Sequence, residues 1–279
     1  MSIHSFEWVA YRKHYKDKVR PGRYKIITGM SNNELVNLLR AGKQEPVKVR
    51  FQNIRNIEDF SGKISKQIEA DSISLLNLLR NSSYLKKFDV NPLTSFILFI
   101  PNTYEFFWNT SAEQFMERMY REKKKFWNED RIKQSRRIGF DLTQVVILAS
   151  IVEKETAKDS ERPMVAGVYM NRLHKNWPLQ ADPTIIFAWN DYSMKRVYNK
   201  HTRINSPYNT YKNTGLPPGP ICLPSISSII SVLNYSKHNY MFFCARDDLS
   251  GFHVYSVTLD EHNRNAKKYR SAISKLNIR

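Results

Sequence analysis

The sequence has few cysteines and no long apolar run, and each shortage excludes a class of protein. Two cysteines, Cys222 and Cys244, occur among 279 residues, which excludes a disulfide-rich scaffold and a zinc site built from paired cysteines. The pattern favours free thiols, although a single bridge stays open. Residues 145–152 and 96–100 are the longest apolar runs, and neither is long enough to span a membrane.

Acidic residues are also scarce. The chain has 26 Asp and Glu but 44 Lys and Arg, which gives a formal net charge of +18. Such a surface attracts a polyanion, which can be nucleic acid, an anionic membrane or an anionic polymer. No motif of a groove-reading protein is present, so nucleic acid is not an expected partner, and a basic nucleic-acid binder is kept only as an alternative. The hydrophobic fraction of 41% is that of a folded protein.

The segment from Asp141 to Thr156 is the most informative stretch of the chain. Asp141 and Gln144 form a capping-box pattern, which predicts a helix beginning at Leu142. Apolar residues lie on almost every side of this helix, and that pattern is typical of a buried one. Glu153 and Glu155, at its end, follow apolar residues one turn earlier, so burial should raise a carboxyl pKa towards the general-acid range. The alternative is that the helix surfaces here and both glutamates are solvated.

The first half of the chain alternates short helical and extended patterns. Ser31 with Glu34, and Thr110 with Glu113, are read as further capping boxes. Extended alternation or apolar runs bounded by turns predict strands. The predicted helices are residues 6–10, 31–42, 57–68, 73–79 and a long helix after Thr110, and the predicted strands are 24–27, 47–51 and 93–100.

The second half contains a helix after Pro163, a loop at residues 177–184 and an irregular region reaching residue 221. Prolines and glycines at 215–220 stiffen this region, and stiff loops commonly shape binding clefts. Residues 240–244 and 252–257 alternate as the two strands of a hairpin. A helix at 226–233 precedes the hairpin, and a last helix, capped by Thr258 with Glu261, ends in a basic tail. The predicted fold class is α+β.

Five blocks of sequence, in this order, resemble the endolytic murein transglycosylases, the MltG or YceG-like family. They are residues 148–156 (LASIVEKET), 168–173, 179–184 (LQADPT), 208–211 (YNTY) and 215–220 (GLPPGP). The resemblance implies a partial LysM-like subdomain at residues 1–46. It also implies a mixed α+β catalytic domain at 47–279, with a buried catalytic helix and a C-terminal β-hairpin.

The resemblance implies that Glu155, the second glutamate of Glu-Lys-Glu, is the catalytic residue. Members of the family are lyases that cleave the MurNAc-β-1,4-GlcNAc bond inside glycan strands and leave 1,6-anhydroMurNAc ends. One carboxyl suffices as acid and then base, so neither a metal nor a cofactor is expected. The candidate substrate-binding residues are Gln180, Asp182, Tyr208, Asn209 and His253, of which all but His253 fall in the family blocks.

The chain departs from the family pattern in two ways. Members carry an N-terminal transmembrane anchor and the front of the LysM-like subdomain, which this chain lacks, so we expect an inner-membrane protein whose catalytic domain is extracytoplasmic. The family's Gln-Thr-Asp-Pro-Thr reads Gln180-Ala181-Asp182-Pro183-Thr184 here. The expected partners are peptidoglycan strands, peptidoglycan synthases and an anionic membrane surface near the anchor. A hydrolytic muramidase using Asp182, or a non-catalytic glycan-binding scaffold, remains the alternative.

Overall fold

The structure is a computed structural model that describes residues 2–275. These residues form a mostly helical α+β protein with two small antiparallel sheets, so the predicted fold class is confirmed at that level. They divide into two compact units: residues 2–51, 57–80 and 102–118 belong to one, and residues 52–56, 81–101 and 119–275 to the other. The LysM-like assignment and the boundary after residue 46 stay predictions.

The first unit is built on a two-stranded sheet and four helices. Strand β1 (Val47–Arg50) pairs antiparallel with β2 (Thr103–Phe106), and Val47 faces Phe106. The helices are α1 (Ile3–Arg12), α2 (Asn32–Ala41), α3 (Ile57–Ser65) and α4 (Ser72–Arg80). Phe51 and Phe60 are buried in its core and meet edge to face at 5.2 Å. The Ser31–Glu34 capping box of α2 is confirmed, and Gly42 ends that helix in the left-handed conformation.

Two predictions in the first unit are wrong. Residues 24–27 form no strand, and Ile26 and Ile27 are exposed. Within residues 2–275, no strand pairs with this segment. Helix α6 (Ala112–Phe126) is capped by Ser111 together with Gln114, not by Thr110 with Glu113. The Thr110 hydroxyl donates instead to the Phe107 carbonyl at 2.6 Å.

The second unit is organised around α8 (Leu142–Glu155), which begins at the predicted residue behind the predicted Asp141–Gln144 capping box. Its residues from Val145 to Val152 are all buried. Three helices pack against it, namely α9 (Arg162–His174), α10 (Asp182–Trp189) and α11 (Ile226–Leu233). Two further helices, α5 (Ser82–Lys86) and α7 (Glu129–Arg137), also belong to this unit.

The predicted strand at residues 93–100 is a 3-10 helix, Pro92–Leu98. Asn91 caps it by accepting from the backbone N–H groups of Leu93 and Thr94, and Pro92 occupies the first turn. Residues 94–100 are buried, and a short apolar run does not by itself distinguish a buried strand from a buried helical turn. The asparagine–proline pair was the signal that decided the conformation.

The predicted loop at residues 177–184 ends in the unpredicted helix α10. Its N-cap is Ala181, which supplies no side-chain hydrogen bond, so the usual capping signal was missing from the sequence. Pro183 in the first turn, which suits a helix start, was the remaining signal.

The C-terminal elements agree with the prediction, although the bounds of both strands differ by one or two residues. Strand β3 (Phe242–Ala245) pairs antiparallel with β4 (His253–Ser256), and α12 (Leu259–Lys275) follows. Thr258 accepts a hydrogen bond from the Glu261 backbone, as predicted for the helix cap. Residues 276–279, the end of the predicted basic tail, lie outside the described residues. Within residues 2–275, no helix has the length and apolar character needed to cross a membrane.

Candidate active site

The two glutamates at the end of α8 have different environments, and neither is a freely solvated last-turn residue. The Glu153 side chain is 14% exposed, and its Oε2 accepts from the Ser225 and Ser228 hydroxyls, each at 2.5 Å. Burial would raise its pKa, but these bonds and the Arg162 guanidinium, 3.6 Å away, lower it below the ordinary value. Glu153 is therefore a carboxylate that holds the start of α11.

The contacts of Ser150, one turn before Glu153, show why this end of α8 is enclosed. Ser150 is polar, yet it is completely buried. Its hydroxyl donates to the Ile147 carbonyl and accepts from the Ile221 backbone at 3.0 Å. The Cys222 thiol donates to the Ser150 carbonyl, and both Cys222 and Cys244 are free. The segment after the proline- and glycine-rich loop therefore covers the polar side of the helix.

Glu155 lies in a cleft, where α9 contacts its carboxyl. The Tyr169 hydroxyl donates to Glu155 Oε1 at 2.5 Å. Burial raises the pKa of Glu155 to about 7, and the nearby Asp182 charge adds to this, while Tyr169 and the Arg172 charge oppose it. A carboxyl with a pKa close to neutrality can both give and take a proton, which is the property of a general acid and base.

Asp182 is the second carboxyl of the cleft. It begins α10, and the Tyr211 hydroxyl donates to its Oδ1. Burial raises the pKa of Asp182, and the bond from Tyr211 opposes that rise. The two carboxyls of the cleft thus each have a tyrosine donor, on α9 for Glu155 and on the 208–211 loop for Asp182.

Arg172 connects the walls of the cleft. This buried guanidinium donates from Nε to the Met241 carbonyl at 2.8 Å and from Nη1 to the Leu179 carbonyl at 2.5 Å. It also lies 5.5 Å from the ring centre of Phe242. Because Met241 precedes β3 and Leu179 precedes α10, one side chain on α9 holds both segments in place.

The cleft has a volume of about 390 Å³ and a mixed polar and aromatic wall. His262, on α12, stacks on Phe242 at 5.4 Å, and burial together with the Arg172 and Arg270 charges lowers its pKa. Its Nδ1 has no partner within the described part of the chain. The residues that line the cleft are Glu155, Tyr169, Arg172, Gln180, Asp182, Tyr211, Phe242, Phe243, Leu259 and His262.

Of the predicted site residues, Glu155, Gln180 and Asp182 line this cleft, whereas Tyr208 and Asn209 lie behind it. Gln180 has a positive φ of 51° and donates its N–H to the Thr210 carbonyl. Asn209 is fully buried, donates to the Thr202 and Ile204 carbonyls, and accepts from the Tyr211 N–H at 3.0 Å. Asn209 therefore shapes the loop that presents Tyr211.

Tyr208 contacts α10, since its ring lies 4.6 Å from that of Phe187. Ala181, where the family pattern has a threonine, lies in the same region. Ala181 is buried, and its N–H donates to the Thr210 hydroxyl at 3.0 Å. That hydroxyl also lies 2.8 Å from the Thr184 hydroxyl. The neighbouring threonines thus fasten the start of α10 without a hydroxyl at position 181.

His253 does not line the cleft but lies one layer behind it. Its ring packs edge to face on Phe243 at 5.3 Å. Its Nδ1 is 2.9 Å from Glu161 Oε2, and its backbone N–H donates to Glu161 Oε1 at 2.7 Å. Glu161 also accepts from Thr156, the residue after α8, at 3.1 Å. This cluster ties the hairpin to the end of α8.

Several cleft residues were not predicted from the sequence. Tyr169, Arg172 and Tyr211 fall in family blocks but are not among the predicted site residues. Their signal is their position: Tyr169 and Arg172 are three residues apart on one helix and so share a face. Phe242, Phe243 and His262 had no signal in the sequence, because only the tertiary fold brings the hairpin and α12 to the cleft.

A family model described as the YceG-like family matches residues 1–268. The chain belongs to the YceG-like family. The resemblance that the five blocks carried is thereby confirmed over nearly the whole chain.

Curated relatives share about half of this YceG-like chain. It is 42% identical over 129 residues to the endolytic murein transglycosylase of Bacillus subtilis strain 168, a match covering 46% of the chain and 35% of that protein. It is 38% identical over 140 residues to the endolytic murein transglycosylase of Streptococcus pneumoniae D39, covering 49% and 25%. The matches therefore span only about a quarter to a third of these relatives.

One solved structure is similar to this chain over almost the whole length of both. The 2.6 Å crystal structure of a yceG-like protein from Listeria monocytogenes has a TM-score of 0.67 to this chain at 26% sequence identity. The match covers 93% of this chain and 88% of that one. The fold described above is thus similar to that of a relative solved by experiment.

Proposed function

We propose that this YceG-like protein is an endolytic peptidoglycan lytic transglycosylase with Glu155 as its only acid and base. The observation that carries the proposal is the Glu155 carboxyl, which lies in the cleft, bonds to Tyr169 and has a pKa raised to about 7. The names of the curated relatives support the same reaction class.

The proposed reaction is an internal displacement within the glycan strand. Protonated Glu155 gives its proton to the oxygen that links MurNAc to GlcNAc, and the bond from C1 to that oxygen breaks. The carboxylate then takes the proton from the C6 hydroxyl of the same MurNAc, whose oxygen bonds to C1. Glu155 ends protonated, as it began, and the 1,6-anhydro ring contains no atom from water.

The contacts of Glu155 suit both halves of this cycle. Burial favours the protonated form needed first, whereas the Tyr169 hydroxyl and the Arg172 charge stabilise the carboxylate needed second. A general acid and base works best when its pKa lies near the working pH, and the balance of these effects places it there.

Asp182 favours one alternative, a hydrolytic muramidase in which it positions a water molecule. The experiment that separates the two is digestion of uncrosslinked glycan strands, followed by mass spectrometry of the fragments. The lyase gives anhydro-ended internal fragments, which are lighter by one water than the reducing-end fragments of a hydrolase. Reducing ends would contradict our proposal, and the absence of any product would favour a non-catalytic glycan-binding scaffold.

Location and partners belong to the proposal as well. We infer extracytoplasmic action at the cell membrane beside peptidoglycan synthases, supported by the family and by the +18 net charge, which attracts anionic lipid and anionic peptide stems. Fractionation of cells that make the native protein tests the location. Recovery in the cytoplasmic fraction would contradict it.

Tyr169→Phe should move the alkaline limb of the pH–rate profile to higher pH. The lost hydroxyl stabilises the Glu155 carboxylate, so its removal raises the pKa of Glu155, and the protonated acid survives to higher pH. The measurement is kcat/KM for strand cleavage between about pH 5 and 9, a window around the pKa range of catalytic carboxyls.

Tyr211→Phe is the matched control, since Tyr211 donates to Asp182 instead. Its loss raises the pKa of Asp182 and reduces the negative charge that raises the pKa of Glu155. The alkaline limb should then stay in place or move to lower pH. Equal upward movement in both variants would contradict the assignment of Tyr169.

A further inference from the structure

The cleft side chains on α10 lie at its first residues, while its last residue carries an exposed aromatic ring. Asp182 lies in the cleft, and Trp189, at the other end of the helix, is 47% exposed. An eight-residue helix spans about 10 Å between its first and last residues. A glycan strand leaving the cleft along this helix would therefore reach Trp189 after a short distance.

The Trp189 ring is held in one orientation. Its indole N–H donates to the His201 carbonyl at 3.1 Å, and the ring of His201 packs edge to face against it. His201 also contacts Tyr198, whose backbone N–H donates to His201 Nδ1 at 3.1 Å. Tyr198 is itself 53% exposed, and Arg196 lies over its ring at 5.4 Å. Two exposed aromatic rings are thus preorganised around one histidine.

The loop that follows Trp189 and carries Tyr198 is strongly cationic. Residues 190–212 hold five lysines and arginines, namely Lys195, Arg196, Lys200, Arg203 and Lys212, against the single carboxylate of Asp191. That carboxylate already accepts from the Ser193 hydroxyl and backbone. A flat aromatic face suits the C–H face of a sugar ring, and nearby cations suit the carboxylates of peptide stems.

We propose that Trp189 and Tyr198 form a glycan-binding subsite that holds sugar rings of the peptidoglycan strand beyond the catalytic cleft. This inference rests on the proposed function and extends it by assigning residues that grip the strand away from the scissile bond. Such a subsite favours cleavage inside strands, because a long strand gains contacts that a short fragment cannot reach.

The test measures binding of fluorescently labelled, uncrosslinked glycan strands to the full chain carrying Glu155→Gln, so that no strand is cut. Adding Trp189→Ala should weaken strand binding about tenfold, as expected for the loss of a large aromatic anchor. Tyr198→Ala should weaken it as well, Trp189→Phe should restore most of the affinity, and the loss should be smaller for a disaccharide fragment.

Trp108→Ala is the matched control, because Trp108 belongs to the other unit and is 39% exposed. It should leave strand affinity unchanged. Thermal unfolding of each variant checks that the loop change has not unfolded the protein. If Trp189→Ala and Tyr198→Ala both leave strand affinity unchanged, the subsite is overturned while the proposed function stands. Failure of the Glu155→Gln parent to bind strands would overturn both.

Discussion

Glu155→Gln should lower the rate of glycan-strand cleavage by at least about a thousandfold. A positioned acid or base commonly contributes 10²–10⁴-fold, and the proposed mechanism uses this carboxyl in both roles. Glutamine keeps the shape of the side chain but cannot exchange a proton. The measurement is the release of soluble fragments from uncrosslinked strands, with turnover normalised to folded protein.

Glu153→Gln is the matched control, since it makes the same change two residues earlier on the same helix. Glu153 is held by Ser225, Ser228 and Arg162 and does not line the cleft. We expect this variant to be less stable but to keep most of its activity at a temperature where it is folded. Equal inactivation of both variants in their folded states would contradict the special role of Glu155.

Glu155→Gln should also change how the stability of the protein depends on pH. The pKa of Glu155 is raised on folding, so the folded chain binds a proton more tightly than the unfolded chain. Ionisation of Glu155 therefore reduces stability as pH rises from about 4.5 to about 7. Glutamine does not ionise, so Glu155→Gln should gain stability relative to wild type across this window. The difference in melting temperature between pH 4 and pH 8, on either side of the window, tests the sign.

Arg172→Met should lower the free energy of unfolding by about 3–5 kcal/mol. The guanidinium donates to the Met241 and Leu179 carbonyls, and methionine leaves both without these donors. The loss also removes a positive charge that stabilises the Glu155 carboxylate, so the pKa of Glu155 should rise and activity should fall. Urea denaturation measures the first effect, and the pH–rate profile measures the second.

Two further variants provide the comparison for Arg172→Met. Arg172→Lys keeps the charge but lacks the forked geometry that reaches two carbonyls, so its stability should lie between wild type and Arg172→Met. Arg264→Met removes an exposed arginine from α12 and should change stability by less than about 0.5 kcal/mol. A loss under about 1 kcal/mol for Arg172→Met would show that Arg172 does not hold the two segments as described.

The sequence predicted α8 well because its signals are local. A capping box and an all-round apolar pattern are contained within sixteen residues, and both are confirmed. The two carboxyls at its end could not be separated in the same way. Their surroundings come from Ser225 and from Tyr169, which are 72 and 14 residues away along the chain.

Two of the errors have non-local causes, since one segment lacks a pairing partner and the other lacks a side-chain cap. Residues 24–27 have the residues of a strand, but no strand in the described part of the chain pairs with them. Helix α10 begins without a side-chain cap, and its start is fastened by Thr210, 29 residues beyond Ala181. Sequence patterns report local preference, whereas these features are determined by tertiary contacts.

The cleft was predicted only in part for the same reason. Gln180 and Asp182 are on its wall as expected, but Tyr208, Asn209 and His253 support it from behind. Polar residues in a stiff loop can face a ligand or hold the loop, and residue type does not distinguish the two. Asn209 is the clearest case, because its amide is used entirely by the loop itself.

An NMR titration of the Glu155 carboxyl directly tests whether folding raises the pKa of this group. Protein labelled with ¹³C at glutamate side-chain carboxyls is titrated, and Glu155→Gln identifies the signal by its absence. We expect a midpoint at about pH 7 in wild type and a higher midpoint in Tyr169→Phe. A midpoint near the ordinary glutamate value of about 4.3, unmoved by Tyr169→Phe, would contradict the claim that this carboxyl is held ready to act as an acid.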